Sequence, residues 1–144
     1  MKFNKLVNTF LETYQGSHKP NPDGPRAHDL LETDMAPSDI YTHPHFTFDI
    51  SGNSEYQNAS KDSLRILKNI KGNPNAEITI YRAAPKGSTI NSGDWVTLSK
   101  KYAEMHSRHP NDPNKDMPII AKKVKASDIR WDGNDANEFG YFPE

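Results

Sequence analysis

The chain has 144 residues, a hydrophobic fraction of 33% and a mean hydropathy of -0.90, as expected for one lean domain with long polar loops. With 18 basic and 19 acidic residues the net charge is -1, so no charge excess favours nucleic acid or an anionic membrane. The absence of cysteine excludes a disulfide-stapled scaffold and a thiolate zinc site.

No signal peptide or membrane span is predicted. The segment Met1–Lys5 lacks the apolar run of a signal peptide. No stretch approaches the roughly 20 apolar residues that a membrane span needs. We therefore expect a cytoplasmic protein, with export by a signal-independent route as the open alternative.

The N-terminal part, residues 1–75, is predicted to be helical and rich in loops. Apolar positions recur at helical spacing over residues 2–14 and predict a helix that packs on the core, with a partner-binding helix as the alternative. Many prolines and glycines predict mostly loop over residues 17–59, with a short helix near Ala27–Thr33 and a short strand over Phe46–Ile50. So long an irregular stretch often has a function, either wrapping the core or forming a substrate lid.

A second helix, four strands and a third helix are predicted further along the chain. The helix is expected from about Ser60 to Lys71. The later elements are strands over Glu77–Ala84, Trp95–Leu98, Met117–Lys125 and Glu138–Phe142, and a helix over Lys100–His106 capped by Ser99. We predict one α+β domain over residues 1–144, in which N-terminal helices pack on a small, split, mostly antiparallel sheet contributed by residues 76–144.

Three motifs stand in order in this second half of the chain. They are Ile80–Ala83 (IYRA), Gly93–Ala103 (GDWVTLSKKYA) and Asn137–Tyr141 (NEFGY). Their order resembles the arginine, serine, glutamate pattern of ADP-ribosyltransferases, and it is similar to uncharacterised members of that kind in phage proteins. The resemblance covers roughly 65 residues. It implies that residues 76–144 form an NAD-binding core with the split sheet of that family.

The resemblance implies a role for each motif. NAD is the co-substrate, a macromolecule such as a protein is the acceptor, and the site would work in the host cytoplasm if the chain is phage-encoded. Glu138 would be the catalytic carboxylate, because one carboxylate near the ribose can stabilise an oxocarbenium-like transition state. Arg82 would bind the NAD phosphates or brace the NAD-facing loop. Ser99 would orient Glu138 and also cap the helix.

Further residues of the second motif are candidates for contacts with NAD. Tyr81, Trp95 and Tyr102 could sandwich the nicotinamide or cover the cleft, and Thr97 lies at the end of its strand. The serine-rich strand end is only Thr97-Leu98-Ser99. Ala136 stands where arginine-modifying members place Glu or Gln, so transfer to arginine is not expected.

Ordinary structural roles compete with these assignments. Arg82 could close a strand at the surface, Ser99 could be only a helix cap, Glu138 could be a solvated carboxylate, and Trp95 could belong to the core. No metal site is expected, because Pro44 makes the His43–His45 segment rigid and no HExxH pattern exists.

The sequence leaves three alternative functions open. The same site could hydrolyse NAD with water as acceptor. A catalytically degenerate fold of this family could instead act as a protein-binding inhibitor or structural protein. A small nuclease is the third alternative, since Lys100-Lys101 and Lys122-Lys123-Lys125 supply local positive charge, although no acid-base pair accompanies them.

Overall fold

The computed structural model describes residues 19–32, 54–133 and 135–144 of the chain. Over these residues the protein is an α+β fold of two α-helices and two small antiparallel sheets. None of the helices in this part of the chain has the length and apolar character that crossing a membrane requires. The helix predicted over residues 2–14 and the strand predicted over Phe46–Ile50 lie outside the described residues.

The regular elements follow one another in a simple order. The helices are α1 (Ser54–Ile70) and α2 (Lys100–Ser107). The strands are β1 (Glu77–Ala83), β2 (Trp95–Val96), β3 (Ile119–Lys125), β4 (Ile129–Trp131) and β5 (Phe139–Tyr141). Short 3₁₀ helices lie at Ala27–Glu32, Pro113–Lys115 and Ala126–Asp128.

Helix α1 begins at Ser54, earlier than the predicted start near Ser60. Its inward residues recur at the spacing of an amphipathic helix; they are Ala59, Ser60, Ser63, Leu64, Leu67 and Ile70. The helix ends where Gly72 adopts a φ of 76°, in the left-handed region that glycine tolerates best. The Gly72 N–H donates to the His28 carbonyl at 2.7 Å and so ties this end of α1 to the first 3₁₀ helix.

The first sheet contains β1 and β3, which pair antiparallel from Glu77 opposite Lys125 to Ala83 opposite Ile119. Ile78 and Ile80 are buried, as the alternation of apolar residues in β1 predicted. The predicted strand from Met117 corresponds to β3, which begins two positions later at Ile119.

The second sheet has the order β2-β5-β4, with both pairs antiparallel. Strand β4 was not predicted, although its residues alternate between buried and half-buried. Beyond β2, the Thr97 N–H donates to the Tyr81 carbonyl at 3.0 Å, and the Tyr81 N–H donates to the Thr97 carbonyl at 2.9 Å. This antiparallel bridge joins the two sheets side by side.

Residues 19–26, the described start of the predicted loop stretch, run along the edge of the second sheet. The Trp131 N–H donates to the Pro25 carbonyl at 2.8 Å. Pro20 lies so close to Gly140 of β5 that a Cβ added to Gly140 would overlap the proline ring. This segment therefore wraps the sheet beside the strand that follows Glu138, while most of the remaining stretch lies outside the described residues.

Candidate active site

The three sequence motifs lie on neighbouring strands. Tyr81 of β1 pairs with Thr97, just beyond β2, and Val96 of β2 pairs with Phe139 of β5. The stretch 95–97 therefore lies between the strand that carries Arg82 and the strand that Glu138 precedes. The order of the motifs in the sequence becomes an order of strands in space.

Arg82 braces β1 against β2. Its side chain is half-buried, and one guanidinium nitrogen, Nη1, donates to the Trp95 carbonyl oxygen at 2.9 Å. A guanidinium has five N–H donors, so this bond leaves others for a second partner. This single bond to strand β2 is not the bidentate bracing of an NAD-facing loop, so both roles predicted for Arg82 stay predictions.

Ser99 caps helix α2. It has an extended backbone with φ -104° and ψ 117°, and its hydroxyl oxygen accepts from the Tyr102 N–H at 3.2 Å. The Ser99 N–H in turn donates to the Thr97 hydroxyl oxygen at 3.2 Å, and both residues are buried. The capping role is thus present. Accepting the cap bond leaves the hydroxyl proton of Ser99 to donate, so the predicted contact with Glu138 stays a prediction.

The hydroxyl that reaches Glu138 belongs to Tyr102. The Tyr102 O–H donates to Oε1 of Glu138 at 2.7 Å, across 36 positions of sequence. Tyr102 is buried on α2, and Glu138 is half-buried at the start of β5. The sequence predicted that Tyr102 sandwiches the nicotinamide or covers the cleft, and this stays a prediction. In the structure its hydroxyl orients the candidate catalytic carboxylate.

This pair has a defined electrostatic character. The pKa of Glu138 lies above its ordinary value, mainly because the carboxylate is buried. The hydrogen bond from Tyr102 lowers this pKa in part, and the nearby Asp135 and Asp132 raise it further. The pKa of Tyr102 lies well above its ordinary value of 10.0, because of burial first and then because of the Glu138 charge and hydrogen bond. Tyr102 is therefore a neutral hydrogen-bond donor at neutral pH.

Aromatic side chains surround the Tyr102 ring. The Tyr56 ring from α1 lies edge-on with its centroid 6.3 Å away, and the His106 ring lies 4.4 Å away at an interplanar angle of 49°. Burial lowers the pKa of His106 from 6.5 to about 4. His106 is therefore neutral at neutral pH, and it supports the Tyr102 ring as an uncharged aromatic group.

The other predicted NAD-contacting residues differ in exposure. Tyr81 is half-buried beside Arg82, whereas Trp95 is only 7% exposed and Thr97 is buried. Trp95 thus has the burial of a core residue, which was the alternative interpretation for it. The predicted contacts of Tyr81, Trp95 and Thr97 with NAD stay predictions.

Asn137, immediately before Glu138, has a role that sequence reasoning missed. It is 0% exposed, and its amide nitrogen donates to the Ser60 hydroxyl at 3.0 Å while its amide oxygen accepts from the Ser63 hydroxyl at 2.7 Å. Asp135 accepts from the Asn137 backbone N–H at 2.8 Å. The spacing Asp-Ala-Asn is typical of an Asx turn and was the available signal, but nothing in the sequence indicated that its partner would be α1.

Among the described residues, no group of His, Asp and Glu side chains is arranged to hold a metal ion. His43 and His45 lie outside them. Comparisons with protein-family models, with curated proteins and with solved structures find no match for this chain.

Proposed function

We propose that the chain is an NAD-dependent ADP-ribosyltransferase, built on the split sheet of that family, that modifies a macromolecule. One observation carries the proposal. The carboxylate of Glu138 is held by the Tyr102 hydroxyl at 2.7 Å beside a junction of three strands. Arg82 follows Tyr81 on β1, and Ser99 lies two residues beyond Thr97, so both are close in sequence to the residues that pair at this junction.

The reaction needs few groups from the protein. The bond between the ribose and the nicotinamide nitrogen breaks, and its electron pair goes to the cationic ring, which leaves as neutral nicotinamide. The ribosyl carbon becomes cation-like and is attacked by a nucleophile of the acceptor, which then loses a proton. With water as acceptor the products are ADP-ribose, nicotinamide and a proton. In this scheme Glu138 stabilises the developing positive charge.

Tyr102 and Arg82 support this carboxylate in different ways. The Tyr102 hydroxyl occupies Oε1 of Glu138, so Oε2 remains to accept a hydroxyl of the ribose. A preorganised acceptor of this kind costs no reorganisation when charge develops. Arg82 holds β1 to β2 through the Trp95 carbonyl, and its remaining N–H groups are the donors that we assign to the NAD phosphates.

The proposal is tested by incubating the pure protein with NAD labelled in its ADP-ribose part, together with a cell lysate. Labelled macromolecules would identify a transferase, and free labelled ADP-ribose would identify a glycohydrolase. Neither product, with no NAD bound by the pure protein in calorimetry, would refute the proposal.

The variant Glu138→Gln keeps the size of the side chain and removes its charge. Because the charge acts on the transition state, kcat should fall by about a hundredfold or more while the affinity for NAD changes little. Glu77→Gln is the matched control, because Glu77 is an exposed carboxylate at the far end of β1. Full activity in Glu138→Gln would remove the main support for the assignment.

A second function, a catalytically degenerate fold that binds another protein, is favoured by one specific observation. Trp95, Thr97 and Ser99 are all less than 10% exposed, which limits the surface that they offer to a dinucleotide. The third alternative, a nuclease, draws on lysines that are partly neutralised, since Lys101 lies 3.5 Å from Asp62. Saturation-transfer NMR with NAD separates the first two functions, because only the transferase requires bound NAD.

A further inference from the structure

The buried amide of Asn137 connects two distant parts of the chain. Its partners Ser63 and Ser60 lie 74 and 77 positions away on α1, in the N-terminal part that matches no motif. Both ends of the amide are satisfied, since the nitrogen also donates to Asp135 at 3.1 Å. A fully bonded polar cluster in a protein interior is rigid and defines one geometry.

This cluster sets the position of Glu138. The Asn137 N–H and the Glu138 N–H both donate to Asp135, to its side chain at 2.8 Å and to its carbonyl at 3.0 Å. The turn before Glu138 is therefore closed by its own hydrogen bonds, and the Asn137 side chain fastens it to α1. Because Glu138 immediately follows this turn, the position of the turn and that of its carboxylate relative to Tyr102 Oη are linked.

Tyr102, which donates to the Glu138 carboxylate, also contacts helix α1. The Tyr102 ring packs edge-on against Tyr56, near the start of α1, and Lys101, beside Tyr102, is paired with Asp62 of α1. Helix α1 thus supports the donor and the acceptor of the Tyr102–Glu138 bond through separate contacts.

We propose that Asn137, together with Ser60 and Ser63, is a positioning residue that holds the Glu138 carboxylate on the Tyr102 hydroxyl. Helix α1 then supports the candidate site through these hydrogen bonds. The effect on turnover rests on the proposed function. The effect on the Tyr102–Glu138 bond does not, and it can be measured in the free protein.

The test uses Ser63→Ala and the double variant Ser60→Ala with Ser63→Ala, which remove hydroxyls without adding volume. Asn137→Ala is a stronger variant, and the serine variants keep the proposal testable if it fails to fold. Ser107→Ala is the matched control. Its hydroxyl is also largely buried, but it donates to the Glu104 carbonyl within α2.

The first readout is NMR of the full chain with carbon-13 at the ζ position of tyrosine. In the serine variants we expect the Tyr102 signal to shift and its titration to move to lower pH. Burial, the largest cause of the raised pKa of Tyr102, remains, but the smaller contributions of the Glu138 charge and hydrogen bond are lost. Ser107→Ala should leave both unchanged. If the Tyr102 signal and its titration are the same in the wild type and the double serine variant, the positioning role is refuted.

The second readout is the kinetics of NAD consumption. A displaced carboxylate should lower kcat by roughly ten- to a hundredfold and leave KM for NAD nearly unchanged, since misplacement acts on the transition state. A wild type that neither consumes NAD in the presence of a cell lysate nor binds NAD refutes the proposed function, and the tyrosine signal still decides whether Asn137 positions Glu138. An active wild type whose serine variants keep full kcat refutes the inference alone.

Discussion

His106 should make the stability of this protein depend on pH in the mildly acidic range. Its imidazole packs against the Tyr102 ring, and burial lowers its pKa from 6.5 to about 4. Between these two pH values the imidazole is protonated in the unfolded chain and neutral in the folded chain. The stability that comes from keeping His106 neutral is therefore fully present above pH 6.5. It is lost as the pH falls from 6.5 through the folded pKa of about 4.

The size of this effect follows from the shift. One pKa unit corresponds to roughly 1.4 kcal/mol, so the change from 6.5 to about 4 corresponds to about 3 kcal/mol of unfolding free energy. Asp135 and Glu138 contribute with the opposite sign, because burial raises the pKa of each and their folded forms bind protons more tightly. The difference between wild type and His106→Gln cancels these common contributions.

Urea denaturation followed by circular dichroism, at pH values from about 7 down to about 4, measures this difference. His106→Gln should lose less stability than the wild type across that range, whatever its stability at neutral pH. Met105→Gln is the control, because it places the same residue one position earlier in α2 and keeps the histidine. If the wild type and His106→Gln lose stability in parallel, the imidazole is solvated in the folded state and the reasoning is wrong.

Two further predictions concern β5 and the carboxylate that precedes it. Gly140→Ala should lower the unfolding free energy by about 1–3 kcal/mol, since the new Cβ overlaps Pro20 and Phe142, and the loss should shrink in a Pro20→Gly background. In an active enzyme, kcat should decline in acid through a pKa above the ordinary 4.5 of glutamate, because burial raises the pKa of Glu138. Tyr102→Phe removes the bond that lowers this pKa, so it should move that decline to higher pH; a move to lower pH would contradict the assignment.

Local patterns in the sequence predicted the central elements of the fold. The alternation in Glu77–Ala84 identified β1 within one residue, and Ser99 marked the start of α2. The start of α1 was missed because Ser54–Ala59 is mostly polar and shows no apolar period. Strand β4 was also missed, although Ile129, Arg130 and Trp131 alternate in burial and pair with β5.

The candidate site was predictable only in part. The family resemblance predicted that the three motifs would lie near one another, and a rule of pairing consecutive strands would not have done so, because β1 pairs with β3 and β2 pairs with β5. The choice of hydrogen-bond partners depends on where helices pack, and a sequence pattern does not contain that. Tyr102 was therefore assigned to ligand contact rather than to Glu138, and Asn137 received no role.

Ser99 is the residue whose two predicted roles can now be separated by substitution. The cap bond to the Tyr102 N–H uses an oxygen lone pair, whereas orienting Glu138 would use the hydroxyl proton. Glycine is a tolerable N-cap that costs only a few tenths of a kcal/mol, while alanine at this position costs about 1 kcal/mol. Ser99→Gly should therefore stay close to the wild type in thermal stability, and Ser99→Ala should be less stable. If the hydroxyl acts on Glu138, both variants should lose kcat to the same degree despite their different stabilities. If kcat instead follows stability and the glycine variant remains active, Ser99 is a cap alone, and orientation of the carboxylate rests on Tyr102.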